Sequence, residues 1–184
     1  MLLYIHGFLS SSQSSKAQQL KQWLDEQGRV DEWCCPDLPA NPVQALAILT
    51  DIIETAEQPI KLLGSSLGGF YSTYLSERYD LKAVVINPSV NPAETLAEKI
   101  GTHKAWHTDN AVEFTQDDVK ALQAMRCERI SRPDNFFLMV ERGDETLDYR
   151  QAVTYYQDCN QLIFNHGDHS FSRFSQVLAL IDAF

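Results

Sequence analysis

The chain has 184 residues, 44% of them hydrophobic and 22% charged, which suits one globular domain and excludes a disordered or collagen-like chain. Against 15 basic residues stand 25 acidic ones, a net charge of −10, and such a field repels phosphate, so nucleic acid and anionic membrane surfaces are not expected partners. No apolar run approaches the roughly 18–20 residues that span a bilayer, and Met1–Gly7 shows neither a basic n-region nor a small-residue cleavage site.

The four cysteines, Cys34, Cys35, Cys127 and Cys159, form no C-x-x-C pair. They read as free thiols, with no metal site, in a cytoplasmic protein.

In chain order, Leu2–Ile5 is a short apolar run that stops at His6-Gly7, a buried strand entering a turn. Leu20, Trp23 and Leu24 follow at helical spacing, and Gly28 stands where a helix would end. Val30–Cys35 reads as a second, less apolar strand, stopped by Pro36 and Pro39. Pro42 opens a helix that carries Leu46, Leu49, Ile52 and Ile53 along one side. The third strand is Ile60–Gly64, followed by a helix from Leu67 through Tyr79, and the fourth is Ala83–Ile86, closed by Pro88. Phe136–Val140 and Leu162–Phe164 are the fifth and sixth, with helices expected over Tyr149–Asp158 and Phe171–Phe184.

This alternation predicts right-handed βαβ crossovers, an α/β fold with a mostly parallel sheet and helices on both faces. Segment 89–134 is longer than one crossover needs. Helical pieces at 93–100 and 117–126 flank a polar middle with His103, Trp106 and His107. It is expected to form a small helical lid insertion within a single domain, 1–184.

Gly64-Ser65-Ser66-Leu67-Gly68 matches G-x-S-x-G between an apolar strand and a helix, where the motif has mechanical meaning. A serine on such a sharp turn stands clear of the sheet, and the helix N-terminus favours negative charge developing beside it. Only Ser66 has glycine at both offsets, so Ser65 is the weaker candidate. A nucleophilic serine needs a base and an orienting acid, supplied on this scaffold in the order serine, acid, histidine by loops after later strands.

The loop after the fifth strand offers Glu141, Asp144, Glu145 and Asp148, and the loop after the sixth offers His166 and His169. Asp144 comes first past the glycine turn, with Glu145 its nearest competitor. Glu141 belongs to the strand end and Asp148 to the cap of the next helix. His169 is preferred to His166 by its place in the loop. An oxyanion hole is expected from the N–H groups of Leu67 and Phe8, with Leu9 as the alternative to Phe8. Gly7 would supply the backbone angles of that loop. His6 reads as a loop-ordering residue and Ser10–Ser12 as a solvated loop.

Taken together, His6-Gly7-Phe8, Gly64–Gly69, Gly143-Asp144-Glu145 with Leu147–Ala152, and Gly167–Phe171 resemble the YqiA-type bacterial esterases, small members of the α/β-hydrolase superfamily. Asn87-Pro88-Ser89-Val90 and Asp144–Ala152 point to that family in particular, and the resemblance covers essentially the whole chain. It implies cleavage of small-molecule esters of short to medium acyl chains by a Ser66–His169–Asp144 triad, with no cofactor. Because the first strand begins at Leu2, the antiparallel strands common ahead of it in larger members are not expected. Six strands in the order 2-1-3-4-5-6 remain, with an exposed edge that a second copy, forming a homodimer, would cover. Two other readings use the same scaffold: a thioesterase acting on acyl-CoA or acyl-carrier protein, and a non-catalytic binding module.

Overall fold

A computed structural model describes residues 1–104 and 111–184; Trp106 and His107 lie outside the described residues. The first four strands are β1 (Leu2–Ile5), β2 (Trp33–Cys34), β3 (Lys61–Ser65) and β4 (Lys82–Ile86). A hairpin, β5 (Gly101–Lys104) and β6 (Ala111–Phe114), comes next, followed by β7 (Phe136–Glu141) and β8 (Asn160–Phe164). Six of these form one sheet in the order β2-β1-β3-β4-β7-β8, with every pair parallel. Numbered without the hairpin, that is the order 2-1-3-4-5-6.

The helices are α1 (Ser15–Glu26), α2 (Pro42–Thr55), α3 (Leu67–Tyr79), α4 (Pro92–Thr95), α5 (Gln116–Ala124), α6 (Tyr149–Tyr155) and α7 (Phe174–Ala183). Side chains alternate across a strand, and the core divides accordingly. Leu3, Ile5, Leu62, Val85 and Leu138 meet α2, α3, α5 and α6 on one face. Leu2, Tyr4, Leu63, Val84 and Met139 meet α1 and α7 on the other. Strands covered on both faces favour apolar residues on both sides, which is why β1 and, after Lys82, β4 read as apolar runs.

Three expectations need correction. The 89–134 insert is not purely helical, because β5 and β6 pair antiparallel within it, Gly101 opposite Phe114. The second strand shrinks to Trp33–Cys34, since Val30–Glu32 winds into a 3-10 turn that Arg29 clamps through its ion pair with Glu32. The last helix begins at Phe174 rather than Phe171. Phe171 takes φ 54, outside the range of a right-handed helix, while its ring is fully buried.

Among the described residues no helix is long and apolar enough to cross a membrane.

Candidate active site

A parallel sheet delivers all its strand ends to one edge, and the residues singled out from the sequence lie in the loops that leave that edge. Ser65 ends β3 in the buried interior, and Ser66 turns the chain into α3 with φ 57 and ψ −121. A non-glycine residue held there costs about 1–3 kcal/mol, so its surroundings must fix it. They do so through the Ser66 N–H, which donates to the Ile86 carbonyl at 3.1 Å, and its carbonyl, which accepts from the N–H of Ser89 at 3.1 Å. The flanking glycines serve close approach: a Cβ on Gly68 would lie 1.8 Å from the Ile5 carbonyl oxygen, and one on Gly64 2.2 Å from that of Gly68.

The loops after β7 and β8 bring Asp144 and His169 to this serine. Asp144, its side chain only 2% exposed, accepts the N–H groups of Thr146 and Leu147 on Oδ1, both at 2.8 Å. Its Oδ2 lies 2.8 Å from His169 Nδ1, and His169 Nε2 lies 3.1 Å from Ser66 Oγ. A carboxylate only accepts, so Nδ1 carries the proton and Nε2 is left to accept from the serine hydroxyl.

The competing carboxylates have other tasks. Glu145 accepts the backbone N–H of His169 at 3.0 Å, and Asp148 caps α6 by accepting the N–H of Arg150. The His166 carbonyl accepts the N–H of Gly143 at 2.9 Å. Glu141 is buried beneath the histidine loop, where it accepts the Asp168 N–H at 2.6 Å and pairs with Arg173.

The loop after β1 approaches Ser66 from the other side. Here Gly7 acts through its missing side chain, since a Cβ would stand 3.3 Å from that of Ser66. The left-handed backbone belongs to Leu9, φ 55, and not to Gly7, which corrects the reason given for that glycine. His6 is buried; its Nδ1–H donates to the Gly7 carbonyl at 2.9 Å and its Nε2 accepts the N–H of Leu38 at 3.1 Å. The neighbouring serines also order backbone: Ser11 Oγ accepts the N–H of Gln13, and the Ser12 N–H donates to Asp37.

Leu67 opens α3, so its N–H has no acceptor within the helix. Phe8 follows Gly7, and its ring meets Phe114 and His103 of the hairpin edge-on, at 5.0 and 6.0 Å between centroids.

Two contributors went unassigned in the sequence. Asn87, fully enclosed after β4, bonds to both later loops through its amide. Lys16 reaches over from α1 to the Ser170 carbonyl at 2.8 Å; burial lowers its ammonium pKa, against the pull of Asp168, Glu141 and Asp144. An asparagine between an apolar strand and a proline was the available signal for the first; nothing local marks the second. Among the described residues no group of three or more His, Cys, Asp or Glu is placed to hold a metal ion.

The model of an uncharacterised protein family, UPF0227, matches residues 1–184. A relative, the UPF0227 protein YcfP of Salmonella gallinarum, is 25% identical over 189 residues, covering 100% of this chain and 98% of its own. Among solved structures, Est1E from Butyrivibrio proteoclasticus superposes with a TM-score of 0.71 at 18% identity, over 100% of this chain and 85% of that one. Alpha/beta hydrolase domain-containing protein 10 from mouse gives 0.70 at 14%, over 99% and 88%. At such identities the likeness is one of fold, and the fold is that of the α/β hydrolases.

Proposed function

The chain belongs to the UPF0227 family, and we propose that it is a serine hydrolase that cleaves carboxylic esters of short to medium acyl chains. The observation that carries this reading is the unbroken series of hydrogen bonds from Asp144 through His169 to Ser66, built on a strained turn at a helix N-terminus.

Ser66 Oγ attacks the ester carbonyl as His169 Nε2 takes its proton, and Asp144 stabilises the imidazolium. The amides of Phe8 and Leu67 hold the oxyanion. The C–O bond to the alcohol then breaks, with the leaving oxygen taking the proton from His169. Water, deprotonated by the same imidazole, attacks the acyl-enzyme and releases the acid and Ser66. Strands β5 and β6, meeting Phe8 through His103 and Phe114, serve as a lid on the Phe8 side of the site.

Hydrolysis of an acyl-length series of p-nitrophenyl esters by wild type and Ser66→Ala tests the proposal. The variant is expected to lose about 10⁴–10⁶ in kcat while its circular dichroism stays unchanged. Equal rates in both proteins would sink the esterase reading. A thioester of the same acyl chain, run in parallel, separates ester from thioester preference.

A further inference from the structure

Segment Ile86–Ser89, at the end of β4, holds the nucleophile, the acid-bearing turn and the base-bearing loop without belonging to any of them. It grips Ser66 through the Ile86 carbonyl and the Ser89 N–H. It grips the other two through one side chain. Asn87 Nδ2 donates to the carbonyls of Asp168 and His169, at 3.0 and 3.2 Å. Its Oδ1 accepts the N–H of Glu141 at 2.9 Å, three residues before Asp144.

Both amide hydrogens and the amide oxygen are therefore used, and no other orientation of the amide satisfies all three neighbours. The residue is 2% exposed, so in the intact protein its amide is satisfied by these protein partners rather than by bulk water. Its backbone takes φ 40, a region that asparagine tolerates better than most side chains, and its own N–H is tied to the Met139 carbonyl at 2.9 Å. The other backbone tie of His169 runs from its N–H to Glu145 in an exposed setting.

We propose that Asn87 is a positioning residue: its amide fixes the His169 loop against the Asp144 turn and so sets the span across which His169 exchanges a proton with Ser66 and the leaving group. This rests on the serine-hydrolase reading above. A side chain that only filled space would leave the chemistry unchanged once the protein was folded. One that sets a proton-transfer distance would act on kcat, because an error of about 1 Å there is worth about 10²-fold.

Two substitutions separate these cases. Asn87→Asp keeps the shape, the tolerance of positive φ and the acceptor for Glu141, but turns an acceptor toward two carbonyl oxygens. Asn87→Gly keeps the backbone free and removes all three bonds. Both are assayed beside wild type and Ser66→Ala on p-nitrophenyl butyrate at 25 °C, with thermal melts followed by circular dichroism.

The expected result is a fall in kcat of about 10–100-fold in both Asn87 variants, with KM within about threefold of wild type. The deshielded proton resonance of the His169–Asp144 hydrogen bond is expected to weaken or disappear. Wild-type turnover well above Ser66→Ala, with kcat and resonance unchanged in the folded Asn87 variants, would overturn the positioning role alone. Wild-type turnover no higher than Ser66→Ala would overturn the hydrolase reading and this role with it. Failure of both Asn87 variants to fold at 25 °C would also overturn it, leaving Asn87 a structural residue.

Discussion

At the C-terminal edge of the sheet, Leu9, Ser66, Asn87, His166 and Phe171 all hold positive φ, against Asp80 at the N-terminal edge, which is stitched mainly by long cations. There Arg29 bridges Glu32 and Asp182 at 2.7 and 2.8 Å, Lys61 Nζ donates to the Asp182 carbonyl at 2.7 Å, and Lys82 Nζ donates to the Phe184 carbonyl at 2.5 Å. The polar groups differ in the same sense. His6, Asn87, Ser89 and Glu141 are buried at the first edge, whereas Arg29 and Asp182 keep about a third of their side chains in water. Strain of about 1–3 kcal/mol per residue survives only where the packed surroundings over-determine it. Exposed ion pairs contribute under about 1 kcal/mol each. One edge thus spends fold stability on geometry, and the other adds a little stability with almost no geometric demand.

The sharpest test of that division is Asp144→Asn, expected to lower kcat about 10⁴-fold while moving the melting temperature little. A large loss of stability with turnover retained would erase the contrast.

Glu141→Gln probes the boundary between the two kinds of edge, since Glu141 is buried but its partner Arg173 is partly exposed. It is expected to cost about 2 kcal/mol, less than for a fully enclosed pair. Urea melts monitored by tryptophan fluorescence measure this, and a change under about 0.5 kcal/mol would place the pair with the exposed ones.

Arg29→Ala should be the smallest effect, under about 1 kcal/mol at pH 7. Hydrogen bonding to Arg29 holds the Glu32 and Asp182 carboxyls below their ordinary pKa. A depressed carboxylate pKa adds stability above the unfolded value and loses it as pH falls through the folded one. The gap between wild type and variant should therefore close as pH drops below about 4, and melts at pH 7 and pH 3 compare the two. A gap that widens in acid would contradict the assignment.

Much of this was legible before the structure, and what escaped did so for physical reasons. The central strands carry apolar runs, Leu62-Leu63 and Ala83–Ile86, because both faces are covered, and that signal needs no tertiary information. Ser66, Asp144 and His169 were nameable because chain order and loop position restrict them, each loop following a recognisable strand. Asn87 was visible only as part of a motif, since its partners lie 54, 81 and 82 residues away. The hairpin strands, Gly101–Lys104 and Ala111–Phe114, are only four residues each and alternate in burial, so their period was too short to separate from a loop. The left-handed turn was placed at Gly7 for the opposite reason: glycine is the usual owner of such a turn, and here Leu9, two places on, takes that conformation.

The hydrogen bond between Ser66 and His169 joins residues 103 positions apart. At ordinary speeds of translation, about 5–20 residues per second, the serine is synthesised roughly 5–20 s before its base. Throughout that interval the nascent chain carries the hydroxyl but not the imidazole that pairs with it in the folded protein. The order of the sequence therefore keeps the Ser66–His169 hydrogen bond from forming until residue 169 has been made.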